Sequence, residues 1–317
     1  MPRALRGALA AALFLALLAA CAAGKNEIAW HHTLEREHVL AGRIWSTAEA
    51  RLIAADDLYR ALASADFVLL GERHDNQDHH LLQAATLRAL AAQGRRPAVA
   101  FEMIDQEQAD ALASFLAAAP KDMSGLGAAI GWERTGWPDW SFYRPIAETA
   151  HAAGLTMRAA NLPRARIREA VRGGAASVPE PMRTRLALGQ ALPAEVQATM
   201  EREIADAHCG MLPASLLPGM AFAQRLRDAV MADSMLAAPG DGAVLIAGNG
   251  HVRRDRGVPV HLVARAPARS VATLAFIEVD AARVRPEDYQ LPFDFVWFTP
   301  RVDDLDPCER MRRARGG

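Results

Sequence analysis

The sequence has almost no net charge and almost no lysine. Its 317 residues carry 36 Lys and Arg against 37 Asp and Glu, for a formal net charge of −1 at pH 7. Nucleic-acid-binding domains usually present a strongly basic face, so this balance gives no indication of a nucleic-acid partner. Lysine occurs only at Lys25 and Lys121. Arginine replaces it elsewhere, which base composition explains, and guanidinium groups are also suited to binding anions.

Cysteine is equally scarce, and the common catalytic motifs are missing. The three cysteines form no Cys-x-x-Cys pair, so the sequence supports neither a zinc knuckle nor a c-type haem attachment. It contains no Gly-x-Ser-x-Gly, no His-Glu-x-x-His and no P-loop, which are the common hydrolase and nucleotide-binding motifs. Half of the residues (51%) are hydrophobic. That is enough for a large core in one domain, or in a domain plus a subdomain.

Residues 1–20 are typical of a signal peptide. Arg3 and Arg6 precede an apolar stretch at 8–20, which is too short to span a bilayer comfortably. The last three residues of this stretch and Cys21 resemble a bacterial lipobox. That resemblance implies cleavage before Cys21 and lipidation of its thiol, and the alternative is an ordinary signal peptide cleaved near the same alanines.

A lipid anchor would place the mature protein at a membrane surface without spanning the membrane. Residue 22 is alanine and not aspartate, so by analogy with other bacterial lipoproteins we expect the outer membrane. Residues 21–45 are predicted to be the tether. An oxidising envelope would permit a disulfide between Cys209 and Cys308, although the sequence does not show that they are close.

The most informative stretch is residues 67–76, where four apolar residues run into a glycine and then into Glu, Arg, His, Asp and Asn. A short apolar run that ends at a turn residue is typical of a buried strand. In a parallel sheet this strand would deliver Glu72 and His74 to the carboxyl edge, where α/β folds bind ligands. A helix follows, and we expect one of His79 and His80 to face the site and the other to meet water.

A second stretch repeats this pattern late in the chain. Residues 244–251 are again an apolar run that ends in Gly-x-x-His, the spacing found in the first stretch. Strand–turn–helix junctions with polar caps are common, so one copy alone would be weak support for a site. Two strands that deliver His74 and His251 to one sheet edge indicate function. Glu102, at the end of a third apolar run, is expected near the same edge.

The alternation of strand and helix patterns predicts an α/β fold with a mostly parallel sheet flanked by helices. We expect this domain over residues 46–308, with its first helix at 47–63. Residues 162–236 show helical periodicity and no convincing strand, which predicts a helical insertion or subdomain. A polar tail follows at 309–317. The aromatic residues of 131–144 are either a ligand wall or lid, or a small satellite core.

Three kinds of chemistry remain open at the predicted sheet edge. Glu72, His74 and His251, together with Glu102, are candidate ligands for a divalent transition metal that could activate water. A Glu–His pair could instead act as a metal-free general base. In the third alternative, histidine or tyrosine ligates haem iron, arginines pair with the propionates and aromatic residues cover the porphyrin.

Four motifs in order resemble the ChaN-like haem-binding lipoproteins. They are Leu-Leu-Gly-Glu-Arg-His-Asp-Asn at 69–76 with His79, His80 and Gln83, Ile-Ala-x-x-His-Cys-Gly-x-Leu-Pro at 204–213, Gly-x-Gly-His-x-Arg-x-Asp-x-Gly-Val-Pro at 248–259, and Phe-Val-Trp-Phe-Thr-Pro at 295–300 with Asp-Pro-Cys at 306–308. The resemblance covers nearly the whole mature chain. It implies an α/β fold of the wider Tiki and erythromycin-esterase-like superfamily, whose relatives include metal-dependent peptidases and esterases that use the same Glu and His positions.

The resemblance implies haem binding linked to iron uptake, with dimerisation around the ligand. A tyrosinate oxygen suits ferric haem, and Tyr143 in the aromatic loop is the predicted axial ligand. His208 and His251 are rival ligands or propionate partners, and His74 and Arg253 complete the predicted haem-binding set. The alternative for Tyr143 is a structural role, with its hydroxyl hydrogen-bonded inside the core.

We therefore predict an outer-membrane lipoprotein that binds haem or a related iron complex and takes part in iron uptake. A receptor or transport components of the outer membrane would be its partners. The alternative is an envelope metal-dependent hydrolase, a peptidase or an esterase, that uses Glu72, His74 and His251.

Overall fold

The computed structural model describes residues 28–189, 191–289, 291–306, 308, 309 and 312. The predicted signal peptide, the predicted lipidation site at Cys21 and most of the predicted polar tail therefore lie outside the described residues. The described residues from His32 onward form one compact unit. No helix in the described ranges is both long enough and apolar enough to cross a membrane.

Eight strands form one sheet, and they are β1 (Ile44–Ser46), β2 (Arg51–Ile53), β3 (Phe67–Glu72), β4 (Ala98–Asp105), β5 (Met157–Asn161), β6 (Ala243–Gly248), β7 (Val271–Glu278) and β8 (Phe295–Thr299). Their order in the sheet is β2-β1-β8-β7-β3-β6-β4-β5. The six strands from β8 to β5 are parallel, while β1 and β2 add an antiparallel edge. The predicted α/β fold with a mostly parallel sheet is confirmed.

Ten α-helices connect and cover the strands, namely α1 (Ala55–Ala63), α2 (Gln77–Ala92), α3 (Ala109–Ala117), α4 (Leu126–Ala129), α5 (Trp140–Ala152), α6 (Arg164–Gly173), α7 (Glu180–Arg185), α8 (Ala194–Ala207), α9 (Leu217–Leu236) and α10 (Val258–Arg265) within the described ranges. The predicted helical stretch 162–236 holds α6 to α9 and, among its described residues, no strand. Its last helix, α9, packs on β4, β5 and β6. This helix therefore belongs to the layer that covers the sheet.

The centre of the sheet is formed by β3 and β6, which are buried along their whole length. Parallel strands at the middle of an α/β sheet are buried on both faces, which explains why their sequences are continuous apolar runs. The two strands pair in register, and Glu72 is opposite Gly248. The residues that follow both strands therefore emerge side by side at the carboxyl edge.

The N-terminal boundary of the domain differs from the prediction. Residues 51–53 form β2, which pairs with β1, so the first helix begins at Ala55 and not at residue 47. Pairing to the sheet edge outweighs the local helical pattern there. Residues 32–45, predicted as part of a tether, are also packed: Leu40 is only 3% exposed, and Leu34 bridges to Arg301.

One disulfide joins distant parts of the described chain. Cys209 and Cys308 are bonded, with 5.5 Å between their Cα atoms. The sequence left this pairing open, because the two cysteines are 99 residues apart. The bond ties the segment after α8 to the segment after β8.

Candidate functional site

The ends of β3, β4 and β6 bring His74, Glu102 and Gly248 together at the carboxyl edge of the sheet. A Cβ atom on Gly248 would lie 2.9 Å from Nε2 of His74 and 3.7 Å from Oε2 of Glu102. The His74 ring therefore passes directly over Gly248 and approaches Glu102. A larger residue at position 248 would displace this ring.

Glu72, at the end of β3, is 2% exposed and is surrounded by groups that can donate protons. Its Oε1 lies 2.8 Å from Nδ1 of His74 and accepts a hydrogen bond of 2.8 Å from the hydroxyl of Tyr143. Its Oε2 lies 3.0 Å from Nδ1 of His80. This is an ion-pair contact, and Oε2 accepts no hydrogen bond from the described residues.

The charges in this first cluster stabilise one another. Burial alone would raise the pKa of Glu72, but the charge of His80 and the hydrogen bond from His74 outweigh burial and lower it. Burial alone would lower the pKa of His74, but Glu72 and Glu102 together raise it to about 9. Burial and the charge of Glu72 raise the pKa of Tyr143. At neutral pH the cluster therefore contains a carboxylate, a protonated His74 and a neutral phenol.

Glu102, in β4, is the centre of a second cluster and is 1% exposed. Its Oε1 accepts a hydrogen bond from Nη2 of Arg227, and its Oε2 accepts one of 2.7 Å from the backbone N–H of Gly248. Nε2 of His251 lies 3.2 Å from Oε1 of Glu102. On its other side, Nδ1 of His251 lies 2.6 Å from Oδ1 of Asp228.

Strong local charges also shift the pKa values in this second cluster. Burial would raise the pKa of Glu102, but His251 and Arg227 hold it well below its usual range. Burial would lower the pKa of His251, but the carboxylates of Glu102 and Asp228 raise it. Burial raises the pKa of Asp228. The cluster is thus a largely buried Arg–Glu–His–Asp chain.

Three side chains at this site were missed by the sequence analysis. They are Arg227, Asp228 and Gln224, whose Nε2 lies 3.0 Å from Nδ1 of His251. Gln224, Arg227 and Asp228 lie on one face of α9, in the stretch predicted as a helical insertion. Residues three and four apart share a helix face, so this spacing could have signalled a common role. Nothing in the sequence, however, indicated that α9 packs across the ends of β4 and β6.

The sequence prediction for the two histidines of α2 is partly wrong. Both are fully buried, so neither meets water. His80 faces Glu72. Nδ1 of His79 accepts a hydrogen bond of 2.9 Å from the backbone N–H of Arg73, and its Nε2 lies 2.9 Å from Oγ1 of Thr299. Burial, aided by the charge of His80, lowers the pKa of His79, which therefore stays neutral.

Several predicted haem-binding residues are engaged elsewhere. Tyr143 is fully buried beneath Glu72 and does not line the cavity described below. Nδ1 of His208 lies 2.7 Å from the carbonyl oxygen of Ile204, at the end of α8. Arg253 makes two hydrogen bonds to Asp255, of 2.9 and 2.7 Å. The roles predicted for these residues stay predictions, and the observed contacts do not favour them.

The predicted metal ligands are only partly brought together. Glu72 and His74 are in contact, whereas the polar contacts of His251 are with Glu102, Asp228 and Gln224. Within the part of the chain that the structure describes, no group of three or more His, Cys, Asp and Glu side chains is arranged to hold a metal ion.

A cavity of about 790 Å³ opens beside Glu102, at the carboxyl ends of β4 and β5. Its polar lining includes Asn161 and four arginines, which are Arg134, Arg164, Arg168 and Arg227. Its apolar lining includes Met103, Ile130, Trp137, Leu162 and Ile167. The volume and the mixed lining are those of a site for a ligand of moderate size.

The aromatic residues of 131–144 lie in two different environments. Trp137 lines the cavity and packs against the His74 ring, with 4.8 Å between ring centroids. Trp132 instead packs on Trp140 and Tyr143, at 4.9 and 5.1 Å. Trp137 therefore forms part of the cavity wall, and Trp132, Trp140 and Tyr143 form a satellite core.

Fold and site together define an α/β protein with a cavity lined by arginine and apolar residues, next to a buried Glu–His network. Residues 58–262, more than half of the chain, match the family described as haem-binding uptake, Tiki superfamily, ChaN. The chain belongs to this family. No curated protein matches the sequence.

Solved structures share the fold at low sequence identity. A structure of ChaN of Campylobacter jejuni, reported for cofacial heme binding, is 22% identical with a TM-score of 0.64, and the match covers 80% of this chain and 95% of that chain. The type III effector HopBA1 has a TM-score of 0.46 at 14% identity, over 77% of this chain and 92% of its own. The likeness to the Campylobacter jejuni structure shows a shared fold and nothing more.

The cavity fits the organic part of haem better than it fits the iron. Exposed arginines can pair with propionates, and Trp137, Ile130 and Ile167 offer apolar surface. Among the described lining residues there is no imidazole and no phenol. His74 is the imidazole that reaches the cavity wall, through Trp137, and its side chain is 35% exposed.

Proposed function

We propose that this chain is an outer-membrane lipoprotein that binds haem or a related iron complex and takes part in iron uptake. The observation that carries the proposal is the arginine-lined cavity beside Glu102 in a member of the haem-binding uptake family. The lipobox-like residues that end at Cys21 support an envelope location. Haem is then cargo, held by the protein for transfer.

Two groups of lining residues would hold this cargo. Arg134, Arg164 and Arg168 are exposed, so their guanidiniums can pair with propionates without breaking a buried contact. Arg227 is already bonded to Glu102 and positions that carboxylate. Apolar contact with the porphyrin would come from Trp137, Ile130 and Ile167.

For the iron ligand, we propose His74 ahead of Tyr143. The Tyr143 hydroxyl is sealed beneath Glu72, whereas the His74 side chain is partly exposed and touches the cavity wall. An imidazole must offer a neutral ring nitrogen to bind iron, so His74 would lose its Nε2 proton and keep the Nδ1 proton that it donates to Glu72. A homodimer that closes over the ligand remains part of the proposal, because the cavity lining itself offers no imidazole or phenol.

The test is a titration of the full-length protein in non-ionic detergent with ferric haem, in which the Soret band is followed. We expect a saturable shift that is weakened about tenfold or more in the double variant Arg164→Ala/Arg168→Ala, since each arginine contributes a charge-assisted hydrogen bond. Arg166→Ala is the matched control. It lies on the same helix, pairs with Glu169 and does not line the cavity. Absence of a saturable shift in the wild type would overturn the proposal.

The iron ligand is assigned in the same titration. His74→Ala is expected to move the Soret maximum, whereas Tyr143→Phe is expected to leave it in place. The reverse result would restore Tyr143 as the ligand and reject His74.

A metal-dependent hydrolase that uses Glu72, His74 and His251 is the second candidate. The observation that favours it is the Glu72–His74 pair, because paired carboxylate and imidazole groups are common in hydrolytic sites. The His74 pKa of about 9 counts against this function, because an imidazole that is protonated at neutral pH cannot act as a base. Bound stoichiometric transition metal, lost together with esterase or peptidase turnover in Glu72→Gln, would select this function over haem binding.

The lipid anchor is tested separately. Cys21→Ser is expected to release the protein from the membrane fraction and to abolish incorporation of labelled fatty acid. Continued membrane association of this variant, without label, would reject lipidation at this residue.

A further inference from the structure

A second cavity, of about 840 Å³, lies between α7, α9 and α10. It shares no lining residue with the cavity at the sheet edge. The ionisable side chains of its lining are Arg183, Arg225, Arg265, His261 and Glu180. Three guanidiniums therefore face this space with one carboxylate, in a protein whose overall charge is close to zero.

Three of these basic groups have unused hydrogen-bonding atoms. Nε of Arg225 and Nη1 of Arg265 are buried and have no hydrogen-bond partner among the described residues. His261 is 7% exposed, and no described residue makes a hydrogen bond to its ring. Burial, with the charges of Arg225 and Arg265, lowers the pKa of His261 to about 4, so its ring is neutral.

The nearby carboxylates do not compensate these charges. Glu180 pairs with Arg183 and accepts a hydrogen bond from Oγ1 of Thr184. Asp233 is shared, since Arg265 contacts its Oδ1 at 2.5 Å and Arg185 contacts its Oδ2. The two carboxylates thus serve three guanidiniums, and Arg225 has no described counter-ion.

A partly buried guanidinium without a counter-ion is costly, because it loses hydration and gains no ion pair. Burial accordingly lowers the pKa of Arg225. Arg225 lines this second cavity, whereas its neighbours Gln224 and Asp228 contact His251 and Arg227 contacts Glu102. The network at the sheet edge does not need it.

We propose that this cavity binds a small organic anion. Its carboxylate or phosphate group lies against Arg225, Arg265 and His261, which offer unused N–H groups. Its apolar part lies against Leu188, Leu192 and Val260, which line the same cavity. This site is independent of haem binding and would remain if the proposed function were wrong.

The binding test uses isothermal titration calorimetry of the full-length protein in non-ionic detergent, with octanoate, octyl phosphate and inorganic phosphate as probes. Saturable binding of octanoate assigns a carboxylate head group, and binding of octyl phosphate alone assigns a phosphate. Inorganic phosphate is expected to bind more weakly than octyl phosphate, since it lacks the apolar part. If neither octyl probe binds saturably, the proposal is overturned.

Two variants separate the charged and the apolar halves of the site. Arg225→Gln is expected to weaken the binding of the octyl probe about tenfold, because one hydrogen bond from a charged group is lost. Val260→Phe is expected to exclude the octyl chain while leaving inorganic phosphate unaffected. Arg166→Gln, an arginine of α6 outside this cavity, is the control.

The melting temperature without added anion provides a second readout. Arg225→Gln removes an uncompensated charge, so the variant is expected to melt at a higher temperature than the wild type in anion-free buffer. This variant is also expected to show the same saturable Soret shift with ferric haem as the wild type. Equal probe affinity in the wild type and in Arg225→Gln would reject the site, whatever the haem titration shows.

Discussion

Two carboxylates are buried at the same sheet edge, and they are held in different ways. Glu72 is surrounded by His74, His80 and Tyr143, which are groups that can gain or lose a proton. Glu102 is held by the guanidinium of Arg227 and by a backbone N–H, in addition to an imidazole. Arginine is always charged in proteins. The Glu102 cluster therefore has a fixed counter-charge, whereas the Glu72 cluster depends on imidazole protonation.

The two clusters also differ in their access to the ligand cavity. Glu102 lines that cavity and Glu72 does not. His74 links them, because it is hydrogen-bonded to Glu72 and its pKa is raised by both carboxylates. One edge of the sheet therefore combines a fixed ion pair, Arg227–Glu102, with a titratable group, His74, that contacts the wall of the cavity.

Loss of the fixed pair is expected to have the largest effect. Glu102→Gln leaves the largely buried Arg227 without its carboxylate and His251 with Asp228 alone, which should lower the free energy of unfolding by about 3–5 kcal/mol. Urea denaturation at pH 7 measures this loss. Glu107→Gln, an exposed carboxylate at the mouth of the same cavity, is the control and should change stability little. A loss below about 1 kcal/mol for Glu102→Gln would contradict a fixed ion pair.

Glu72→Gln is expected to cost less, about 2–3 kcal/mol, because His74 and His80 can lose their protons and become neutral. In Glu102→Gln, by contrast, Arg227 stays charged because arginine does not lose its proton in proteins. The same denaturation experiment at pH 7 compares the two. If Glu72→Gln proved more destabilising than Glu102→Gln, the distinction between a titratable and a fixed cluster would be wrong.

The stability of the wild type should depend on pH through His74. Its pKa is about 9 in the folded protein, against 6.5 for an unperturbed histidine. A raised pKa contributes stability that is complete below pH 6.5 and is lost as pH rises through 9. The shift corresponds to roughly 3 kcal/mol, which solvent screening of a partly exposed side chain reduces to about 2 kcal/mol.

Denaturation at a series of pH values between 6 and 10 measures this loss. The Glu72→Gln variant provides the comparison, since it lacks the carboxylate that raises the pKa of His74. Its stability should vary much less over the same range. Parallel pH profiles for the two proteins would show that His74 is not the group responsible.

The sequence predicted the strand ends that form the site better than it predicted the side chains that contact them. The paired Gly-x-x-His runs correctly placed Glu72, His74 and His251 at strand ends, because buried parallel strands are continuous apolar runs. Glu102 followed from the same reasoning. The partners of these residues could not be predicted, since Arg227 and Asp228 come from a helix whose packing depends on tertiary contacts and not on local pattern.

The fold shows the same division between local and distant information. The helix that follows β3 was predicted, and Asn76 caps it by accepting hydrogen bonds from the N–H groups of Asp78 and His79. The strand β2 was missed, because only its pairing with β1 makes residues 51–53 a strand. Local signals therefore located the central strands, while distant pairing determined the sheet edge.

Tyr143 gives the smallest expected effect and the sharpest test of its role. Tyr143→Phe removes one hydrogen bond to Glu72 but keeps the ring that packs on His80 and Trp132. His74 still donates to the same oxygen, so the loss of stability should be about 1 kcal/mol. The Soret maximum of the haem complex should not move, because the hydroxyl does not reach the cavity. A large spectral change with an equally small loss of stability would mean that the phenol leaves Glu72 when haem binds, and that the first cluster opens for its ligand.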